Sequence, residues 1–135
     1  MSRQHRIIRP NWYAYLPCYT CGINPTIKVS TTVVHDPVHG AFAFRTVSLD
    51  EPHYAAFRWL ADSTDPDSPS TLVEFRVDAV SESSTVLHVT ETGFASLPGD
   101  SAERRAKYEA NVEGWIAELD LARKHLESGK PVAAQ

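Results

Sequence analysis

The chain has 135 residues, 42% of them hydrophobic and 22% charged, with a formal net charge of −4. That length suits one domain with a genuine core. The acidic balance disfavours nucleic acid as the main partner, and no apolar run is long enough to span a bilayer. With no apolar signal-peptide core near the start, the expectation is a cytoplasmic protein.

Residues 1–25 show neither a period of two nor one of 3.6, and Pro10, Pro17 and Pro25 punctuate them. They form an atypical N-terminal segment that is basic through Arg3, Arg6 and Arg9 and carries an aromatic patch, Trp12-Tyr-Ala-Tyr15. From Thr26 the pattern becomes regular. Ile27, Val29 and Val33 alternate with polar residues to about His35, and Asp36 to Gly40 is a turn by composition. Ala41 to Leu49 reads as a second strand, with Phe42 and Phe44 on one face and Ala43 and Val47 on the other. Asp50-Glu-Pro52 is a turn, His53 to Leu60 a third strand, and Asp62 to Ser70 a polar loop.

Thr71 to Val80 alternates strictly: Val73, Phe75, Val77 and Ala79 share one face, and Glu74, Arg76 and Asp78 the other. Ser84 to Glu91 follows. Pairing Phe75 with Val89 and Val77 with Leu87 matches apolar to apolar and sets Arg76 opposite His88 on the solvent side. This register leaves a three-residue turn at Ser81-Glu-Ser83. It also points Glu91 toward the helix side, opposite Val73, at the rim of the layer. Asp100 to Ser128 reads as one helix, with Tyr108, Val112, Trp115, Leu119, Ala122 and Leu126 along one stripe. Asp100 and Glu103 have capping-box chemistry, and Gly129 with Pro131 is a stop signal. Gly114 inside the helix costs about 1 kcal/mol relative to Ala and so suggests a close approach of backbone or ligand. Five antiparallel strands as a meander and one long helix make an α+β domain over 26–129, with 130–135 a disordered tail.

Several segments in this order resemble one family: Glu51-Pro-His-Tyr-Ala-Ala-Phe-Arg-Trp59, Thr71-Leu-Val-Glu-Phe75, Leu87-His-Val-Thr-Glu-Thr-Gly-Phe94, and Asn111-Val-Glu-Gly-Trp115 with Leu119 and Leu126. They are similar to bacterial proteins related to the activator of Hsp90 ATPase, within the START-like (SRPBCC) helix-grip superfamily. The resemblance runs from about Ile27 to Leu126. It implies an antiparallel sheet packed against one long C-terminal helix, with a cavity for a small hydrophobic or amphipathic molecule between the layers. Members usually begin with a strand and a pair of short helices that wall the cavity, a pattern that residues 1–25 do not show. A homodimer, or cover by Trp12, Tyr13 and Tyr15, could compensate.

On this reading the ligand-binding residues are Phe57, Trp59, Phe75, Val89, Glu91, Tyr108, Trp115 and Leu119, with no cofactor, no metal and no defined catalysis. Two alternatives stay open. A polyketide cyclase-like enzyme could use Glu91 as acid or base. A co-chaperone or oligomeric interaction protein could dock through the basic, aromatic N-terminus. Cys18 and Cys21 have the spacing of a zinc or redox pair, but there is no second ligand pair, and Gly22 and Pro25 break any following helix. His35 and His39 flank a turn without a clear carboxylate partner. Asp62, Asp65 and Asp67 lack the central Gly and closing Glu of a calcium loop. Both groups read as solvated surface.

Overall fold

A computed structural model describes residues 2–7, 31–37 and 40–129. The elements are β1 (Ser2–Ile7), β2 (Thr31–Asp36), β3 (Gly40–Asp50), β4 (Tyr54–Leu60), β5 (Ser70–Ser81), β6 (Ser84–Thr92), a 3₁₀ turn (Phe94–Ser96) and α1 (Ser101–Ser128). The residue 26–30 portion of the expected first strand, the Trp12–Tyr15 patch, Cys18, Cys21, His39 and the 130–135 tail all lie outside the described residues.

All strands pair antiparallel in one sheet of order β1-β6-β5-β4-β3-β2, and α1 packs on it, an α+β helix-grip arrangement. Among the described residues the sheet has six strands, one more than the meander expected. Ser2–Ile7, in the stretch expected to be irregular, pairs along β6 from Ser2 opposite Thr90 to Ile7 opposite Thr85. Ser-Arg-Gln-His-Arg-Ile holds one apolar residue, so it carries no alternation to read. Its partner lies some eighty residues away, and that long-range pairing creates the strand.

The register of β5 with β6 follows the apolar matching: Val73 opposite Glu91, Phe75 opposite Val89, Val77 opposite Leu87 and Arg76 opposite His88. The turn is tighter than expected. Ser81 pairs with Ser84 across Glu82 and Ser83, and the extra residue is absorbed as a bulge at Val80. A second bulge lies in β3 at Val47, between the pairs Thr46–Phe57 and Ser48–Ala56. It explains why Val47 is 45% exposed while Ala43, expected to share its face, is fully buried.

The core lies between sheet and helix. Ala55, Val73, Val77, Leu87, Val89 and Leu119 are buried together, with Leu49, Phe57, Trp59, Phe75, Trp115 and Leu126 packed around them. Burying each aliphatic side chain contributes roughly 1.5–3 kcal/mol. The helix starts where its sequence signals say. Asp100 accepts from the Glu103 N–H at 2.8 Å, and the Glu103 carboxylate accepts from the Asp100 N–H at 2.7 Å. It ends at Gly129, in the left-handed conformation with φ 67°. Gly114 does not mark a close approach, because a Cβ added there would meet nothing within 4 Å. Among the described residues no helix is long and apolar enough to cross a membrane.

Candidate functional site

Glu91 sits at the next-to-last position of β6, where a strand end would ordinarily be wet. Instead it is 1% exposed, deeper than the rim position expected. The reason is α1. The chain turns back after β6 through Gly93 (φ 95°), the 3₁₀ turn and the buried Leu97, and this lays the first half of the helix across the strand ends. A side chain at Gly93 would be strained at that φ and would approach the Ser70 carbonyl at 3.4 Å.

Among the described residues, three side chains converge on the Glu91 carboxylate. Thr71 at the start of β5 donates its hydroxyl to Oε1 at 2.7 Å. The amide nitrogen of Asn111 lies 3.1 Å from Oε1 and 3.2 Å from Oε2. The indole N–H of Trp115 donates to Oε2 at 2.7 Å. Asn111 and Trp115 are four apart and so share a face of the helix; Thr71 is two residues before Val73, on the same face of its strand. A buried carboxylate needs such partners, since an ionised group stripped of water without them is very costly. The cluster ties β5, β6 and α1 together with charge-assisted bonds.

Beside this cluster opens a cavity of about 560 Å³. Its walls come from Ala41 and Phe42 at the start of β3, Trp59 and Leu60 at the end of β4, and Thr71 and Glu91. Leu97, Lys107 and Asn111 line it from the helix side, and Ala61, Asp62 and Ser63 from the loop after β4. One wall is aromatic: the Trp59 ring meets Phe42 edge-on at 5.4 Å and Phe44 at 5.0 Å. In that loop, the Thr64 hydroxyl and N–H donate to Asp62 at 2.7 and 2.8 Å, holding its carboxyl below the usual range.

Of the eight residues expected to bind ligand, Trp59 and Glu91 line this cavity. Val89 and Leu119 are buried in the core. Phe57 and Phe75 meet edge-on at 6.1 Å, and Phe75 and Trp59 each meet Trp115, at 5.7 and 6.4 Å. Trp115 thus stands behind the cavity wall, holding Glu91. Tyr108 is 37% exposed and packs on Phe94 at 5.3 Å, at the turn into the helix. Thr71, Asn111 and Lys107 were not among the expected residues. The legible signal for Asn111 was its spacing of four from Trp115, two donors aimed at one strand-end carboxylate.

Elsewhere, His88 pairs with Asp78 at 3.0 Å on the face of the sheet away from α1, and His35 and His53 are exposed. Among the described residues no three His, Cys, Asp or Glu side chains gather where a metal ion could be held. No protein-family model, no curated protein and no solved structure matches this chain.

Proposed function

We propose that the chain is a small-molecule binding protein of the START-like kind, taking an apolar or amphipathic ligand in the cavity between the first half of α1 and the ends of β3 to β6. The observation that carries this reading is the cavity itself. At about 560 Å³ it falls in the range of roughly 300–1,000 Å³ usual for ligand sites, and its lining is more polar than apolar, setting Phe42, Trp59, Leu60 and Leu97 beside Asp62, Thr71, Glu91, Lys107 and Asn111.

On this reading Glu91 serves the site as an anchor. Its two oxygens receive the Thr71, Asn111 and Trp115 donors, and these bonds tie β5, β6 and α1 together. The test is native mass spectrometry of the protein purified from its own host, before and after mild denaturation. A small molecule that is retained in the folded protein and released on denaturation is the expected result. A spectrum of ligand-free protein, together with no uptake of any aromatic probe in solution, would overturn the reading.

A further inference from the structure

Arg45 on β3 and Arg58 on β4 stand directly opposite each other in the sheet. Their neighbours Phe44, Phe57 and Trp59 belong to the helix side, where Trp59 meets both Phe44 and Trp115. Alternation therefore sends both arginines to the other face. Their row continues to Thr31 on β2 and to Leu72 and Thr92 on β5 and β6, so it holds two positive charges and no acid. Like charges set directly opposite destabilise a sheet. Both residues are half-buried, and a guanidinium that has lost part of its water needs acceptors. Among the described residues neither arginine has a carboxylate. Arg45 donates to the Pro66 carbonyl at 3.4 Å, and Arg58 makes no hydrogen bond or ion pair. Glu74, diagonal to Arg58, instead accepts from Tyr54 at 2.7 Å, and Asp65, beside Pro66, accepts from the Asp67 N–H at 2.9 Å.

We propose that Arg45 and Arg58 form a binding site for a phosphate group, free or carried by a small molecule, on the face of the sheet away from α1. Directly opposite residues have Cβ atoms about 5 Å apart, which lets two guanidinium forks close on one anion. A phosphate group brings three or more oxygens and up to two negative charges, enough for a charge-assisted pair of bonds from each fork. A carboxylate has two oxygens and one charge, and a single fork saturates it. Thr31, opposite Arg45 on the same face, places a hydroxyl at the end of the pair. The net charge of −4 works against an extended polyanion and favours a compact one. Neither arginine lines the cavity, so the proposal does not depend on the cavity being a ligand site.

The experiment is an NMR titration of the intact protein that follows the arginine Nε–H signals. The probes are inorganic phosphate and phenyl phosphate at about pH 7.5, where both are largely dianions, with sodium chloride at matched ionic strength as reference. Saturable shifts of the Arg45 and Arg58 signals are expected with the phosphates and not with chloride. Tighter binding of phenyl phosphate would assign the site to an organic phosphate, and equal or tighter binding of inorganic phosphate to the free anion. Arg58→Gln is expected to weaken binding roughly tenfold or more, and phosphate should raise the denaturation midpoint of the wild type but not of this variant. Shifts reproduced by chloride, saturation confined to other residues, or no saturation at either arginine overturns the proposal, as does undiminished affinity in Arg58→Gln. The wild-type titration decides by itself should the variant fail to fold.

Discussion

Trp115 on α1 and Glu91 on β6 are joined by a 2.7 Å hydrogen bond between the indole N–H and a carboxylate oxygen that has almost no contact with water. The bond couples helix position to cavity shape, because the same carboxylate is held from the sheet by Thr71. The Trp115 ring also packs against Trp59, which forms the aromatic wall.

Trp115→Phe isolates the polar part of that relationship. It keeps a ring against Phe75 and Trp59 and removes the N–H, leaving a buried carboxylate oxygen with one donor fewer. The expected loss is about 1–3 kcal/mol, read as a lower denaturation midpoint at unchanged m-value. A midpoint equal to that of the wild type would mean that the indole N–H does nothing to seat the helix.

Glu91→Gln tests the carboxylate from the other side. The amide offers one acceptor oxygen where the carboxylate offered two, and its NH₂ is set against groups that are themselves donors. Because charge-assisted bonds are lost and a donor–donor conflict is created, the expected loss is about 2–4 kcal/mol, at or above the Trp115→Phe value. If Glu91→Gln keeps full stability but abolishes a reaction, the residue is catalytic and the anchoring role assigned above is wrong.

How much of this was readable beforehand differs by element. The β5–β6 register and the helix boundaries were legible because strict alternation over Val73, Phe75 and Val77, and the Asp100–Glu103 box, are local signals with one good solution. β1 was not, since Ser2–Ile7 has no apolar periodicity and gains its strand identity from pairing along β6. Glu91 was legible as a carboxylate on the helix side but not as a buried one, because burial depends on where the first turns of α1 come to lie. The aromatic residues were assigned to one layer. Only packing separates Trp59, which reaches the cavity, from Phe57 and Phe75, which do not line it.

Gly114 now has a clear expectation. It lies in the interior of a 28-residue helix, exposed, with open space where a Cβ would go. Gly114→Ala removes backbone freedom from the unfolded chain without a clash, so a gain of about 1 kcal/mol is expected in chemical denaturation. A loss of stability would show that another chain or segment packs on that side of the helix.

The helix start can be tested separately from its packing. Asp100→Ala deletes the acceptor for the Glu103 N–H and breaks the reciprocal pair, an expected cost of about 1 kcal/mol. Amide exchange should accelerate first in the turn after Ser101, which carries Lys107 and Asn111 toward the cavity within three turns. Exchange unchanged in that turn would mean the cap is dispensable.

On the opposite face of the sheet, Tyr54 donates its phenolic O–H to Glu74 at 2.7 Å. That bond is the main reason the phenol is raised above its ordinary value of 10.0, with burial and the negative charge of Glu74 adding to it and the Arg76 guanidinium, 5.6 Å from the ring centroid, opposing. The folded state therefore holds the proton more tightly than the unfolded one. Its contribution to stability is fully present below the unfolded value and is lost as pH rises through the higher folded one. Denaturation midpoints measured from about pH 8 to pH 11 should fall in the wild type, and the part of that fall due to Tyr54 should vanish in Tyr54→Phe. Parallel curves for the two proteins would mean that the Tyr54–Glu74 bond is absent in solution.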